Sequence, residues 1–119
     1  MPATTHTAAL SADERKVVEG AIGIISDPKR WCQDQNYTFD AHGDIAYCAE
    51  YAVRTVWLRR RRPWPAFDSS DEVFAKINLV AASLNDSGDP RRISLMAIND
   101  SLGREAAIAL LRAALEVEP

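Results

Sequence analysis

The chain has 119 residues, 47% of them apolar and 26% charged, with a formal net charge of −3. A chain of this length holds one domain whose core needs neither disulfides nor a metal, and this composition excludes disorder over most of the length. No window approaches the roughly 20 apolar residues of a membrane span. Met1 to Ala9 lacks the apolar run of a secretory signal, so the expected location is cytoplasmic.

Residues 1–10 read as a flexible lead-in, and 11–119 as a single helical domain. Ser11 with Glu14 makes a capping box. The helix it opens carries Val17, Val18, Ala21, Ile22, Ile24 and Ile25 at helical spacing. Gly20 and Gly23 weaken that helix and offer a neighbour close approach. Asp27-Pro28 ends it. From Lys29 to Asp44 the chain reads as a loop whose aromatics, Trp31, Tyr37 and Phe39, are expected to pin it onto the core. Tyr37 and Phe39 alternate ahead of Ala41-His42-Gly43-Asp44, a pattern that allows a short β-hairpin.

Asp44 is the expected cap of a second helix running to Arg60. Its apolar residues surround it so completely that it is expected in the middle of a bundle. Pro63-Trp64-Pro65 forbids its continuation. Ser69 with Glu72 opens a third helix to Leu84, with Val73, Ile77, Val80 and Leu84 on one face. Asp89-Pro90 starts a short fourth helix ending near Asn99. Asp100 or Ser101 caps the last, whose core face includes Ala107, Ile108, Leu111 and Leu115. The fold expected is therefore all-α: four main helices and one short one, with an aromatic loop or small hairpin between the first two.

The candidate chemistry is sparse. Cys32 and Cys48 are too few for a disulfide scaffold and are expected to be reduced, structural thiols. With His6 and His42 they show no metal-ligand spacing, so no metal and no cofactor are expected. Cys32 and His42 share the aromatic loop with Asp34, Asp40 and Asp44, the best enzyme-like cluster available. No phosphate-binding glycine loop is present. The acid pairs Asp13-Glu14 and Asp71-Glu72 suit first helical turns and need no catalytic explanation. The last two helices allow a helix-turn-helix reading, but the final one has an alanine- and leucine-rich body suited to packing rather than to base edges.

Charge, however, is segregated. Five arginines against the single acid Glu50 give Ile45–Phe67 a net +4, leaving −7 for the rest. Arg59, Arg60, Arg61 and Arg62, followed by Trp64, are the candidate partner-binding residues. Arginines at a helix C-terminus stabilise it by themselves. The same tract could fold back on acidic neighbours, dock an acidic protein, or bind nucleic acid with Trp64 stacking on a base. The leading expectation is a small non-enzymatic module that binds another protein. Nucleic-acid binding is the alternative, and a cysteine-dependent enzyme comes third. A two-fold dimer is also open to the chain, because the second helix has apolar surface to spare.

With the elements placed, Trp31-Cys32-Gln33, Cys48 on an apolar helix, and Asn99-Asp100 ahead of an alanine-rich final helix with Ala113 and Ala114 form a pattern. It resembles an uncharacterised family of short bacterial and phage proteins, a domain of unknown function. That family's pattern has a W-x-Q segment, a C-x-x-G-A helix, and an N-D pair opening the last helix. At the second position this chain has Cys48-Ala49-Glu50-Tyr51-Ala52, with tyrosine where the pattern has glycine, and the segment after Gln33 is shorter. The family has no established activity, so the resemblance implies no catalytic residue.

Overall fold

Ser11 begins the first helix as its spacing to Glu14 requires. In the computed structural model, which describes residues 9–39, 42–60 and 71–118, the Ser11 hydroxyl accepts from the Glu14 N–H at 3.2 Å and the Glu14 carboxylate accepts from the Ser11 N–H at 2.8 Å. Helix α1 (Ala12–Ile25) buries Val17, Val18, Ala21 and Ile25. Asp27 then caps a single 3-10 turn, Pro28–Arg30.

The aromatic segment does fold into a hairpin. Strands β1 (Tyr37–Phe39) and β2 (Ile45–Tyr47) are antiparallel, with Tyr37 opposite Tyr47 and Phe39 opposite Ile45. The other edge of β2 is covered by the chain at Arg30–Cys32. Trp31 bridges Tyr47 in parallel, the Cys32 N–H donates to the Tyr47 carbonyl at 3.0 Å, and Arg30 Nε donates to the Ile45 carbonyl at 2.9 Å. Ile45–Tyr47, expected as the first turn of the second helix, is thus a strand. Helix α2 runs Ala49–Arg60. Three apolar residues between a turn and a helix carry no readable period, and the cap is Cys48 rather than Asp44.

Helix α3 spans Asp71–Leu84 and buries Val73, Ile77 and Val80 as its spacing predicts; Ser69 lies outside the described residues. Asp89-Pro90 starts only the 3-10 turn Pro90–Arg92. The chain becomes extended at Ser94, whose hydroxyl accepts from the Ala97 N–H and restarts it as α4 (Leu95–Leu102). Asn99, Asp100 and Ser101 therefore finish α4 instead of opening the last helix. The break comes at Gly103, where φ is 98°, a region that side chains strain to enter. Helix α5 (Arg104–Leu115) follows.

The alanine-rich α5 occupies the middle of the bundle, packing on α1, α3 and α4 and touching α2. It buries Ala107, Ile108, Leu110, Leu111 and Ala114. The expectation that α2 sits in the middle is corrected: only Ala49, Ala52, Val53 and Trp57 of it are buried, and Arg54, Leu58, Arg59 and Arg60 are exposed. Small side chains let α5 accept several neighbours at short range, whereas α2, with lesser contacts to α4 and α5, packs mainly on α1. There Gly20 makes the close approach possible, since a Cβ on it would lie 2.9 Å from Val56 Cγ1. Gly23 meets nothing and plays no such part.

Polar ties fix the helix ends. Arg15, in the first turn of α1, donates to the Leu115 carbonyl at 2.6 Å, at the end of α5. Arg104, which opens α5, donates to the Ile25 and Ser26 carbonyls that end α1. Two antiparallel helices thus cover each other's orphan carbonyls with opposite charge at the negative dipole end. Glu14, buried, also takes Lys76 of α3 at 2.7 Å.

Burial pushes the Glu14 carboxyl up, but hydrogen bonds from Lys76 and Ser11 outweigh it and hold the group below its ordinary range. Folding thus disfavours protonation here, so the stabilisation is fully present above the ordinary glutamate range and is lost as pH falls below that range through the lowered value of the folded state. Glu14→Gln keeps the cap and loses the ion pair. It should cost about 2 kcal/mol near neutral pH, below the full figure for a buried pair because Lys76 is partly solvated. The gap to the wild type should narrow in acid. Urea melts at the two pH values measure both.

Candidate functional site

The residues of the sequence pattern that lie far apart along the chain meet around one side chain. Asn99 is fully buried in the last turn of α4. Its Oδ1 accepts from Trp31 Nε1 at 2.7 Å and from the Ala49 N–H, the first of α2, at 2.9 Å. Its Nδ2 donates to the Cys32 carbonyl at 3.2 Å and to Asp100 Oδ1 at 3.0 Å. A side-chain amide offers two acceptor and two donor positions, so Asn99 is saturated. The reversed amide would set donor against donor at both Trp31 and Ala49. Asp100 extends the knot: Oδ1 also accepts from the Asp34 N–H at 2.8 Å, and its carbonyl accepts from Gln33 Nε2 at 2.7 Å. Asp34 has φ of 63°, a left-handed turn that Asp tolerates better than most residues.

Such a knot positions elements and leaves no group of Asn99 over for chemistry. Asn99→Ala strands the Trp31 and Ala49 donors and the Cys32 carbonyl. At about 1 to 3 kcal/mol for each buried polar group left unpaired, the loss should be at least about 3 kcal/mol. The surface-facing Asp100→Asn should cost markedly less. Urea melts followed by far-ultraviolet circular dichroism compare the two.

Both cysteines lie beside the knot, buried and free. Cys48 is the N-cap of α2, its sulfur accepting from the Tyr51 N–H at 3.3 Å, the place a serine oxygen normally fills. Cys32 Sγ lies 3.4 Å from the Gln35 carbonyl and 3.7 Å from that of Ala46. Burial, helped by Cys48 and Asp100, pushes the Cys32 thiol up to about 11. Burial also raises Cys48, outweighing the hydrogen bond from Tyr51. Thiols held this way carry little thiolate at neutral pH. His42 sits exposed in the hairpin turn, and Asp40 lies outside the described residues. Among the described residues, no three His, Cys, Asp or Glu side chains are grouped to hold a metal.

The outer surface of the hairpin is a different matter. Tyr37 and Phe39, expected against the core, are 46% and 59% exposed. Their rings meet edge to face at 5.8 Å, Tyr37 stacks on Tyr51 at 5.2 Å, and Tyr51 stacks on Tyr47 at 5.7 Å. The Arg30 guanidinium lies 6.0 Å from the centre of the Tyr47 ring. A continuous ladder results, buried at Tyr47 and open at Phe39. The alternation of Tyr37 and Phe39 was the available signal, because it places both on one face of a strand too short to cover itself. Tyr51 opens a helical face that continues at three- and four-residue spacing through Arg54 to Leu58, with Arg59 next in the chain.

The arginine tract divides. Arg59 is exposed at the end of α2. Arg60 reaches back to Asp13 of α1 at 3.1 Å, a pair in which Asp13 is 70% exposed. Part of the tract is therefore answered within the molecule, by a surface ion pair of the kind worth at most about 1 kcal/mol. Arg61, Arg62 and Trp64 lie outside the described residues. Among the described residues no helix is long and apolar enough to cross a membrane.

No curated protein and no solved structure matches the chain. A family model described as "Family of unknown function (DUF6197)" matches residues 11–117, nearly the whole length, and the chain belongs to that family.

Proposed function

We propose that the chain is a small non-enzymatic module that docks an acidic partner protein on the outer face of α2. The observation that carries this reading is the ring ladder, exposed at Phe39 and Tyr37 and reaching Tyr51, whose helix face continues through Arg54 and Leu58, with Arg59 exposed beside it. Aromatic rings give contact area at low entropic cost, and arginines select the sign of the partner; both are enriched where protein interfaces concentrate their energy. Arg61, Arg62 and Trp64 follow in the chain and would extend the basic end. The Arg60–Asp13 pair is solvated enough to be exchanged for a partner's carboxylate. The raised cysteine thiols favour the non-enzymatic reading over a Cys32–His42 nucleophile.

A second reading, single-stranded nucleic acid, draws on the same observation. Stacked exposed rings beside arginines form the kind of platform on which bases lie. The overall charge of −3 weighs against it.

Affinity capture from source cells with the intact chain, compared with Tyr37→Ser/Phe39→Ser and with Arg59→Ala/Arg61→Ala/Arg62→Ala, tests the proposal. Both variants should keep the wild-type circular dichroism and lose a shared acidic partner, at least tenfold, in line with removal of interface anchors. Undiminished capture by either variant would sink it. A mobility-shift titration at rising salt separates the second reading, which requires a complex that weakens steeply with salt.

A further inference from the structure

On the side of the bundle where α3, α4 and α5 meet, Ala81, Leu84, Ile98, Ala106, Ala109 and Leu110 line a groove with Arg92 at its rim. The small residues of α3 and α5 make it concave. Its volume is about 140 Å³, comparable with the ~150 Å³ that takes a benzene ring. Leu84 on its wall is 63% exposed, and Ile93, next in the chain to Arg92, is 59% exposed. The groove can therefore seat one ring-sized or branched aliphatic group, with apolar contact continuing at its lip.

The charge at the rim is specific. Asp89 stands between two arginines but serves one: Arg91 Nε lies 3.1 Å and 3.2 Å from its two oxygens, and Arg91 Nη2 lies 2.8 Å from Oδ2. Arg92 keeps only a long contact, Nε to Oδ2 at 3.9 Å. Its side chain is 51% exposed. A guanidinium beside a one-residue groove suits a carboxylate carried by the same residue that fills the groove. A C-terminal residue with an apolar side chain has both groups one bond from its Cα.

We propose that this groove binds the C-terminal residue of a partner chain, its apolar side chain between α3 and α5 and its carboxylate on Arg92. Capture of terminal carboxylates is a recurrent recognition mode, and the planar fork of arginine matches the carboxylate. The surface is separate from the α2 face and does not depend on it.

The test is a titration of the ¹⁵N-labelled chain with N-acetyl-phenylalanine, followed by amide shifts. Saturable shifts are expected at Ala81, Ile98, Ala106 and Ala109. Its primary amide, which has no carboxylate, should bind about tenfold more weakly, the scale of one lost charge-assisted pair. Arg92→Gln should remove that preference while leaving the fold unchanged, since Arg92 is exposed. Ala109→Phe, also at an exposed position, should fill the groove and abolish the shifts. Equal binding of acid and amide, shifts mapping elsewhere, or a preference that survives in Arg92→Gln would overturn the proposal. So would preferential binding of an amidated peptide with an internal glutamate.

Discussion

The hairpin and the start of α2 depend on one buried amide. Asn99 holds the indole of Trp31, the first N–H of α2 and the carbonyl of Cys32 at once. The hairpin has only two three-residue strands, and a ribbon that small is at best marginal in water by itself. Asn99 and Asp100 tether the segment leading into it, while the edge contacts of Arg30, Trp31 and Cys32 pair its inner strand. The same device recurs at the next helix start, where Asn78 of α3 accepts from the Leu95 N–H that begins α4, at 3.0 Å. Two helices are thus initiated from outside, by asparagines of neighbouring helices.

That is also where reading from residues alone reaches its limit. Self-contained local signals were legible: the Ser11–Glu14 box, the Val73–Ile77–Val80 face, the Asp27-Pro28 stop and the alternation behind the hairpin all stand in the structure. So, among the described residues, does the count of four longer α-helices and a short one. Signals that depend on a distant group were not. Asp44 looks a better cap than Cys48 until Asn99 Oδ1 and the Cys48 sulfur accept from α2's first N–H groups. Asn99-Asp100 looks like a helix opening because short polar residues favour N-caps, yet burial of Asn99 makes it the close of α4. The centre of the bundle was misplaced for a related reason. Apolar content marks α2, but the helix that can touch several others is the one with the smallest side chains.

The candidate surfaces divide in the same way. The arginines were visible by charge alone, and so was the prospect of the tract folding back on the chain's own acids, which Arg60 exemplifies by pairing with Asp13. The ring ladder became visible only when Tyr51 was placed between Tyr37 and Tyr47, at the position where the resembled pattern has glycine. A glycine there would leave Tyr37 without its stacking partner. The groove by Arg92 could not be read at all, because it arises from three helices whose facing residues are far apart in the chain.

The mutual arginine clamps between α1 and α5 have a consequence for how the molecule comes into being. The helix at the hub leaves the ribosome after the four helices it touches. Until it arrives, α1, α3 and α4 have no common partner, and only α1, on α2, has an extensive helix face to close upon. Contacts that span nearly the whole chain also slow the final closure, because that loop entropy is lost before the packing rewards it. Synthesis should therefore pass through a stage rich in exposed aliphatic surface that ends in one late, concerted collapse.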